Sequence, residues 1–395
     1  MNWLKNKLNV TMFLQALALM LPLHHKFMPI LIVLFAVSTF ITFFSRQQKV
    51  EFTKAKFFLI FFYCFLGLGL FWSDNMKAGV FDLEVKLSLF IFPILFSFIK
   101  LSEFEFQKVI KSLITGIFIF FIVSFYFGFK RYLNDSTFYY LFYSRLSPIV
   151  HPSYMSMYVV TAMSVLLYYL KKGVYLFHNK YTTVSILLML FIINVMLLSK
   201  IGILAAVLLI LFYVYVWMKS EKKYKLGGAI VFGMLVFMFL SYKNVEFIKY
   251  RVDELGTLFI SGDNNKSESS SGIRLHIWEH ATTLVKEKPM LGHGTGDVRD
   301  VLVEKYTEHN LISALEHQYN AHNQFFQILI SSGIIGLLLF LLSTYFGAKS
   351  NPLLLQFIVI TFIFMSVESI LENQAGTIFF GLFFSLLSQK SLTKV

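Results

Sequence analysis

The chain has 395 residues, 57% of them hydrophobic and only 14% charged, and its mean hydropathy is +0.67. That balance excludes a soluble globular domain and a disordered chain and indicates an integral membrane protein. The net charge of +13 leaves nucleic-acid binding open until the positions of the charges are considered, whereas the single cysteine, Cys64, excludes an intramolecular disulfide and a paired-cysteine metal site.

Apolar runs long enough to cross a hydrocarbon core of about 30 Å recur along nearly the whole chain. They fall near residues 10–23, 28–45, 57–72, 85–99, 108–128, 151–170, 181–199, 201–218, 226–242, 323–346, 351–368 and 376–388. The expectation is an all-α membrane protein of about twelve transmembrane helices in one polytopic bundle. The first run lacks a small-residue cleavage site and reads as a permanent span. Residues 199–201 read as a break within a re-entrant or tilted pair.

Charge placement orients the bundle. With the N-terminus inside, the short inner segments hold Lys5, Lys7, Arg46, Lys49, Lys54, Lys56, Lys171, Lys172, Lys180, Lys219, Lys222, Lys223, Lys225, Lys390 and Lys394. The opposite side carries Asp74, Asp82, Glu84, Glu368 and Glu372. This is the positive-inside pattern, so the net charge reflects topology and nucleic acid is not an expected partner. Both termini are expected in the cytoplasm. The expected organisation is an N-terminal bundle over 1–242, a large outer loop over 243–321 and C-terminal helices over 322–395.

A loop of that length within a bundle is usually functional or disordered. Ile248, Val252, Leu255 and Phe259 recur at helical spacing beside Lys249, Arg251, Asp253 and Glu254, which predicts an amphipathic helix on the outer membrane face. Ser261 to Gly272 has a linker composition. Ile273 to Lys288 reads as a helix ended by Pro289 and by Gly292, Gly294 and Gly296. The three glycines read as a tight turn, because no strand precedes them to make a phosphate cradle. His276 and His280 have the i, i+4 spacing of zinc-binding helices, but the companion glutamate is absent and no third ligand has diagnostic spacing, so solvated loop histidines are expected.

His322 lies where the polar loop meets the next apolar run, at a water–lipid boundary where an imidazole can take a proton from a substrate. If the following residues are helical, Gly333 and Gly336 lie on nearly the same stripe and allow a second helix to approach closely. A boundary histidine above a packing face, without chemistry, fits the same residues. Three cations sit near that level: Arg145, Lys200 and Arg274. Lys200, between two apolar runs, is the least ordinary, since ionisable groups inside membrane segments suggest function by default. Snorkelling to the interface is its alternative, and Arg145 and Arg274 also fit as plain loop cations. A histidine and two or three cations on one side suit an anionic, lipid-anchored substrate.

These residues resemble the O-antigen ligase and polymerase superfamily, bacterial membrane glycosyltransferases with many helices and one large periplasmic loop before the last few spans. The resemblance rests on His322, Asn323, Gly333 and Gly336; on Arg274 and Trp278 followed by Pro289, Gly292 and Gly294; and on Ser199, Lys200 and Gly202, where lysine replaces the usual arginine. His151 to Tyr154 and Glu368 to Gly376 carry it less specifically.

The resemblance implies a GT-C-like fold in the bacterial inner membrane, with the large loop periplasmic. It also implies transfer of a glycan from undecaprenyl diphosphate to an acceptor hydroxyl on lipid A core, a growing polysaccharide or a protein. On that reading His322 is the base, and Arg274, Lys200 and, more loosely, Arg145 hold the diphosphate, with Asn323, Gly333 and Gly336 in support. Membrane lipids are the surroundings, no cofactor or metal is expected, and the transfer inverts the sugar. A ligase is preferred on the histidine pattern. A polymerase, a transporter or flippase and a non-catalytic export scaffold are the alternatives, although no internal repeat of the transporter kind is visible.

Overall fold

The structure is a computed structural model that describes residues 9–46, 49–244, 249, 253 and 270–389. The amphipathic helix expected around residues 248–259 and most of the linker lie outside the described residues, as do Lys5, Lys7, Lys390 and Lys394. Helices follow one another as α1 (Val10–Met20), α2 (Met28–Arg46), α3 (Lys54–Leu68), α4 (Met76–Lys86), α5 (Ser88–Phe98), α6 (Glu103–Asp135), α7 (Tyr143–Leu146), α8 (Pro152–Lys171), α9 (Lys180–Met196), α10 (Lys200–Glu221) and α11 (Tyr224–Asn244). The loop contributes α12 (Ser270–Glu287), α13 (Val298–Glu308) and α14 (Ile312–His317), and the chain continues with α15 (Gln324–Ala348), α16 (Pro352–Met365) and α17 (Gln374–Leu387). No strand occurs among the described residues.

Each of the twelve apolar runs is helical. Six helices are long and apolar enough to cross a membrane, and α1, α9, α16 and α17 are apolar but shorter. Backbone groups in hydrocarbon must find internal partners, so polar caps matter at the helix ends. Asn9, Thr53, Asn75, Ser102, His151, Asn179, Ser199, Asn323, Asn351 and Asn373 each cap a helix N-terminus through the side chain.

Burial separates inner from outer helices. α8 has the lowest hydropathy of the six candidate spans, 1.3, and 83% of it is buried. Its small polar residues Ser153, Ser156, Thr161 and Ser164 are enclosed, where helix neighbours rather than lipid surround them. α10 has hydropathy 2.5 and is only 28% buried, leaving Leu204, Leu208 and Phe212 exposed. α17 is buried along its whole length.

The helices of the long loop have a small core of their own. Ile277, Ala281, Leu284, Val298, Leu302, Tyr306, Ala314 and Ala321 enclose it together with Ile330 of α15. Residues 289–297 then fasten this platform to the bundle. The His293 and Gly294 amides donate to the carbonyls of Ile330 and Ser331 at 2.7 and 3.1 Å, and the Ile334 amide donates to Pro289 at 2.9 Å. Thr295 Oγ1 donates to the Leu66 carbonyl at 2.6 Å, and the Asp297 carboxylate accepts from the amides of Asp74 and Asn75.

This strap corrects the expected glycine stripe. Gly333 is not helical: its φ of 60° and ψ of −163° interrupt α15. A Cβ there would sit 2.2 Å from the Met290 carbonyl oxygen and also meet Leu291, so glycine is required for the backbone to bend against the strap. Gly333 and Gly336 therefore do not share a helical face with His322. His322 itself precedes α15, with φ 43°.

Candidate functional site

His322, Arg274 and Lys200 line one cavity of about 520 Å³, together with Tyr143, His151, Ser153 and Glu368. Each comes from a different place in the chain. Arg274 lies in the first turns of α12, and Trp278, one turn on, donates its Nε1–H to the Ala321 carbonyl at 3.0 Å. The arginine helix is thereby tied to the residue before His322. Gln327 Oε1 accepts from the Ala321 amide at 3.1 Å, and Asn320 Oδ1 accepts from the His322 amide at 2.9 Å. These bonds hold His322 in the left-handed backbone region, which non-glycine residues seldom occupy and which clusters at functional sites. The Tyr319 ring meets the imidazole edge to face at 5.0 Å.

Lys200 is the first residue of α10. A cation there adds to the positive end of the helix dipole, so the position favours a bound anion. Its placement depends on close packing below it. Ser199 caps the helix by accepting from the Gly202 amide at 3.2 Å, Asn194 Nδ2 donates to the Gly202 carbonyl at 3.0 Å, and Ser156 Oγ donates to Asn194 Oδ1. A side chain at residue 202 would collide with Ser156 Oγ, which explains the glycine two residues after the lysine. Leu197 to Ser199 form the break between α9 and α10.

Glu368 is the residue that the sequence reading missed as a site member. It lies beyond the end of α16, and its side chain is 9% exposed. Arg274 Nη2 donates to its Oε1 at 2.8 Å, Ser153 Oγ donates to the same oxygen at 3.1 Å, and His322 Nδ1 lies 3.4 Å from Oε2. Burial alone would raise its pKa. The hydrogen bond from His322 and the charges of Arg274, His322 and His151 outweigh burial and bring the carboxyl down to about 2. An ionised carboxylate only accepts, so Nδ1 of His322 carries the hydrogen in this contact, and whenever the ring is neutral Nε2 holds the lone pair. Burial pushes His151 below its usual value against the pull of Glu368, with Arg274 and His322 lowering it further.

The two less specific segments meet at this carboxylate. Tyr154 OH donates to the Ser369 carbonyl at 3.5 Å, and Gly376 lets the chain pass Ile370 and Tyr154 closely. Asn323 braces the same strap from the other side: its amide donates to Ser369 Oγ, its Nδ2 donates to the Ser366 carbonyl, and its Oδ1 accepts from the Phe325 and Phe326 amides. The signal in the sequence was one of two neighbouring glutamates, Glu368 and Glu372, the one just before Ser369. It could be noticed, but its partners lie 46, 94 and 215 positions away.

Arg145 is not brought into the cavity. It is exposed, with its guanidinium 5.9 Å from the Tyr139 ring. The amides of His293, Gly294 and Gly296 are all taken by protein partners, so this glycine turn fastens the loop. His280 stacks on His309 with ring centres 4.2 Å apart, and burial lowers its pKa.

The histidine, arginine and lysine that the family resemblance led us to expect share this cavity, and the carboxylate between them was not expected. Residues 184–341 match the O-antigen ligase family. The matched O-antigen ligase segment contains Lys200, Arg274, His322, Asn323, Gly333 and Gly336, whereas Arg145, His151, Ser153 and Glu368 lie outside it. The match makes this part of the chain similar to that family, and the described residues include six helices long and apolar enough to cross a membrane. No curated protein matches the chain.

Proposed function

We propose that the chain is an O-antigen ligase-like glycosyltransferase that moves a glycan from undecaprenyl diphosphate to an acceptor hydroxyl on the outer face of the inner membrane. The observation that carries this reading is the meeting of His322, Arg274 and Lys200 on one cavity, with Glu368 joining the histidine to the arginine.

Nε2 of His322 takes the acceptor hydroxyl proton as that oxygen attacks the anomeric carbon. The bond from this carbon to the diphosphate oxygen breaks on the opposite face, and the diphosphate leaves with the electron pair, so configuration inverts. Glu368 stabilises the imidazolium as it forms. Negative charge grows on the leaving diphosphate and needs donors already in place. Arg274 has donors beyond the one given to Glu368 and offers a planar fork, while Lys200 contributes a point charge beside the α10 N-terminus. Among the described residues Glu368 is the carboxylate lining the cavity, and it is engaged by Arg274 and His322, so in this reading these cations carry the neutralisation.

The test incubates purified protein with an undecaprenyl-diphosphate glycan and either lipid A core or a polysaccharide acceptor, with and without a chelator. Wild type transfers in both chelator arms, and the acceptor that is glycosylated separates ligase from polymerase. His322→Ala folds and loses about 10²- to 10⁴-fold in turnover, the range of a general base. Arg274→Lys retains charge but loses turnover. Unchanged transfer by His322→Ala overturns the base assignment, and chelator-sensitive transfer overturns the metal-free mechanism.

A further inference from the structure

A second large cavity, about 580 Å³, lies at the other ends of α8 and α10, between them, α9 and the start of α11. α8 has 20 residues and spans about 30 Å, so this cavity and the His322 cavity lie at opposite membrane faces. Its composition is graded. Leu167, Val184, Ile210 and Val214 line the part toward the middle of the helices, whereas Lys171, Lys180, Trp217 and Ser220 line the part at the helix ends.

The polar end is rich in positive charge. Among the described residues neither Lys171 nor Lys180 forms an ion pair. Glu221, the acid at the rim, lies 3.7 Å from Lys223 and so has a cation of its own. Lys172, Lys222 and Lys225 extend the basic rim on the same side. An apolar slot between spans, ending in an interfacial tryptophan and two lysines, has the chemistry of a single amphiphile with an anionic head.

We propose that this cavity binds an anionic glycerophospholipid of the inner leaflet, with its phosphate between Lys171 and Lys180 and one acyl chain along Leu167, Val184, Ile210 and Val214. Trp217 would lie at the level of the ester groups. The proposal does not depend on the reaction at His322. A bound lipid would wedge α8 and α10, the two helices whose opposite ends carry Ser153 and Lys200.

The full chain in detergent, titrated with dioleoyl-phosphatidylglycerol or dioleoyl-phosphatidylcholine and observed by native mass spectrometry, tests this. Wild type binds the glycerol lipid more tightly. The Lys171→Gln/Lys180→Gln pair weakens that binding about 25-fold, each lysine near a membrane surface contributing about fivefold, and leaves phosphatidylcholine unchanged. Lys222→Gln/Lys225→Gln, which removes equal charge outside the cavity, has little effect. Phosphatidylglycerol with brominated acyl chains quenches Trp217 fluorescence, and Trp217→Phe removes the quenched component. Equal weakening by the two lysine pairs, no preference between the lipids, or no quenching of Trp217 overturns the site.

Discussion

Replacing Glu368 by glutamine separates the carboxylate's charge from its shape. The His322 Nδ1 lies 3.4 Å from Oε2, and at an effective dielectric constant of about 20 a full charge pair at that distance attracts by about 5 kcal/mol. Arg274 shares the carboxylate, so part of that attraction is already spent before His322 gains its proton. The remainder corresponds to a loss of about 10²- to 10³-fold in turnover, since each 1.4 kcal/mol is tenfold. Ground-state binding of the donor changes less, because Arg274 and Lys200 remain. The assay is steady-state transfer from an undecaprenyl-diphosphate glycan by purified Glu368→Gln, with thermal unfolding measured on the same sample. Turnover within about threefold of wild type would refute the argument that Glu368 acts through His322. Lost turnover together with unfolding would instead show that the carboxylate serves the fold.

The same carboxyl makes a pH prediction. Its pKa in the folded chain, about 2, lies below the ordinary 4.5, so its contribution to stability is complete above the ordinary value and is lost as pH falls toward 2. The unfolding temperatures of wild type and Glu368→Gln should differ by a constant amount from pH 5 to 8 and converge below pH 4. Trp278→Phe removes the bond to the Ala321 carbonyl, costing about 1 kcal/mol. It should lower turnover more than donor affinity, because the histidine moves while the arginine stays, and an unaltered kcat would show that the tether is not needed. Gly333→Ala forces a Cβ onto the Met290 carbonyl at positive φ, so a loss of several kcal/mol, seen as a large fall in unfolding temperature or in yield, is expected. Normal stability of that variant would contradict the observed break in α15.

Helix positions were legible because each apolar run is also a helix, and polar residues such as Asn323 and Asn351 cap where composition changes. The cluster of cations was legible only in part. Lys200 and Arg274 reach the cavity, but Arg145, chosen from the same kind of sequence position, stays outside it. Gly333 was misjudged for a definite reason. Its distance from His322 fits a helical face, but whether the helix continues depends on the Pro289–Gly294 strap, and backbone pairing of that kind leaves no periodicity behind. Glu368 was overlooked as a site member because a carboxylate in a short loop gains meaning only from the histidine, arginine and serine that fold onto it.

The supply of that carboxylate from beyond the O-antigen ligase segment bears on inheritance and engineering. The segment is not a portable catalytic cassette. A chimera that transplants residues 184–341 alone would place its histidine against another protein's α16–α17 turn and another protein's α8 cap. It would recover function only where those two foreign elements offer a glutamate and a serine in register. A substitution in the turn after α16 or at the start of α8 therefore alters the surroundings of His322, despite belonging to a different part of the chain.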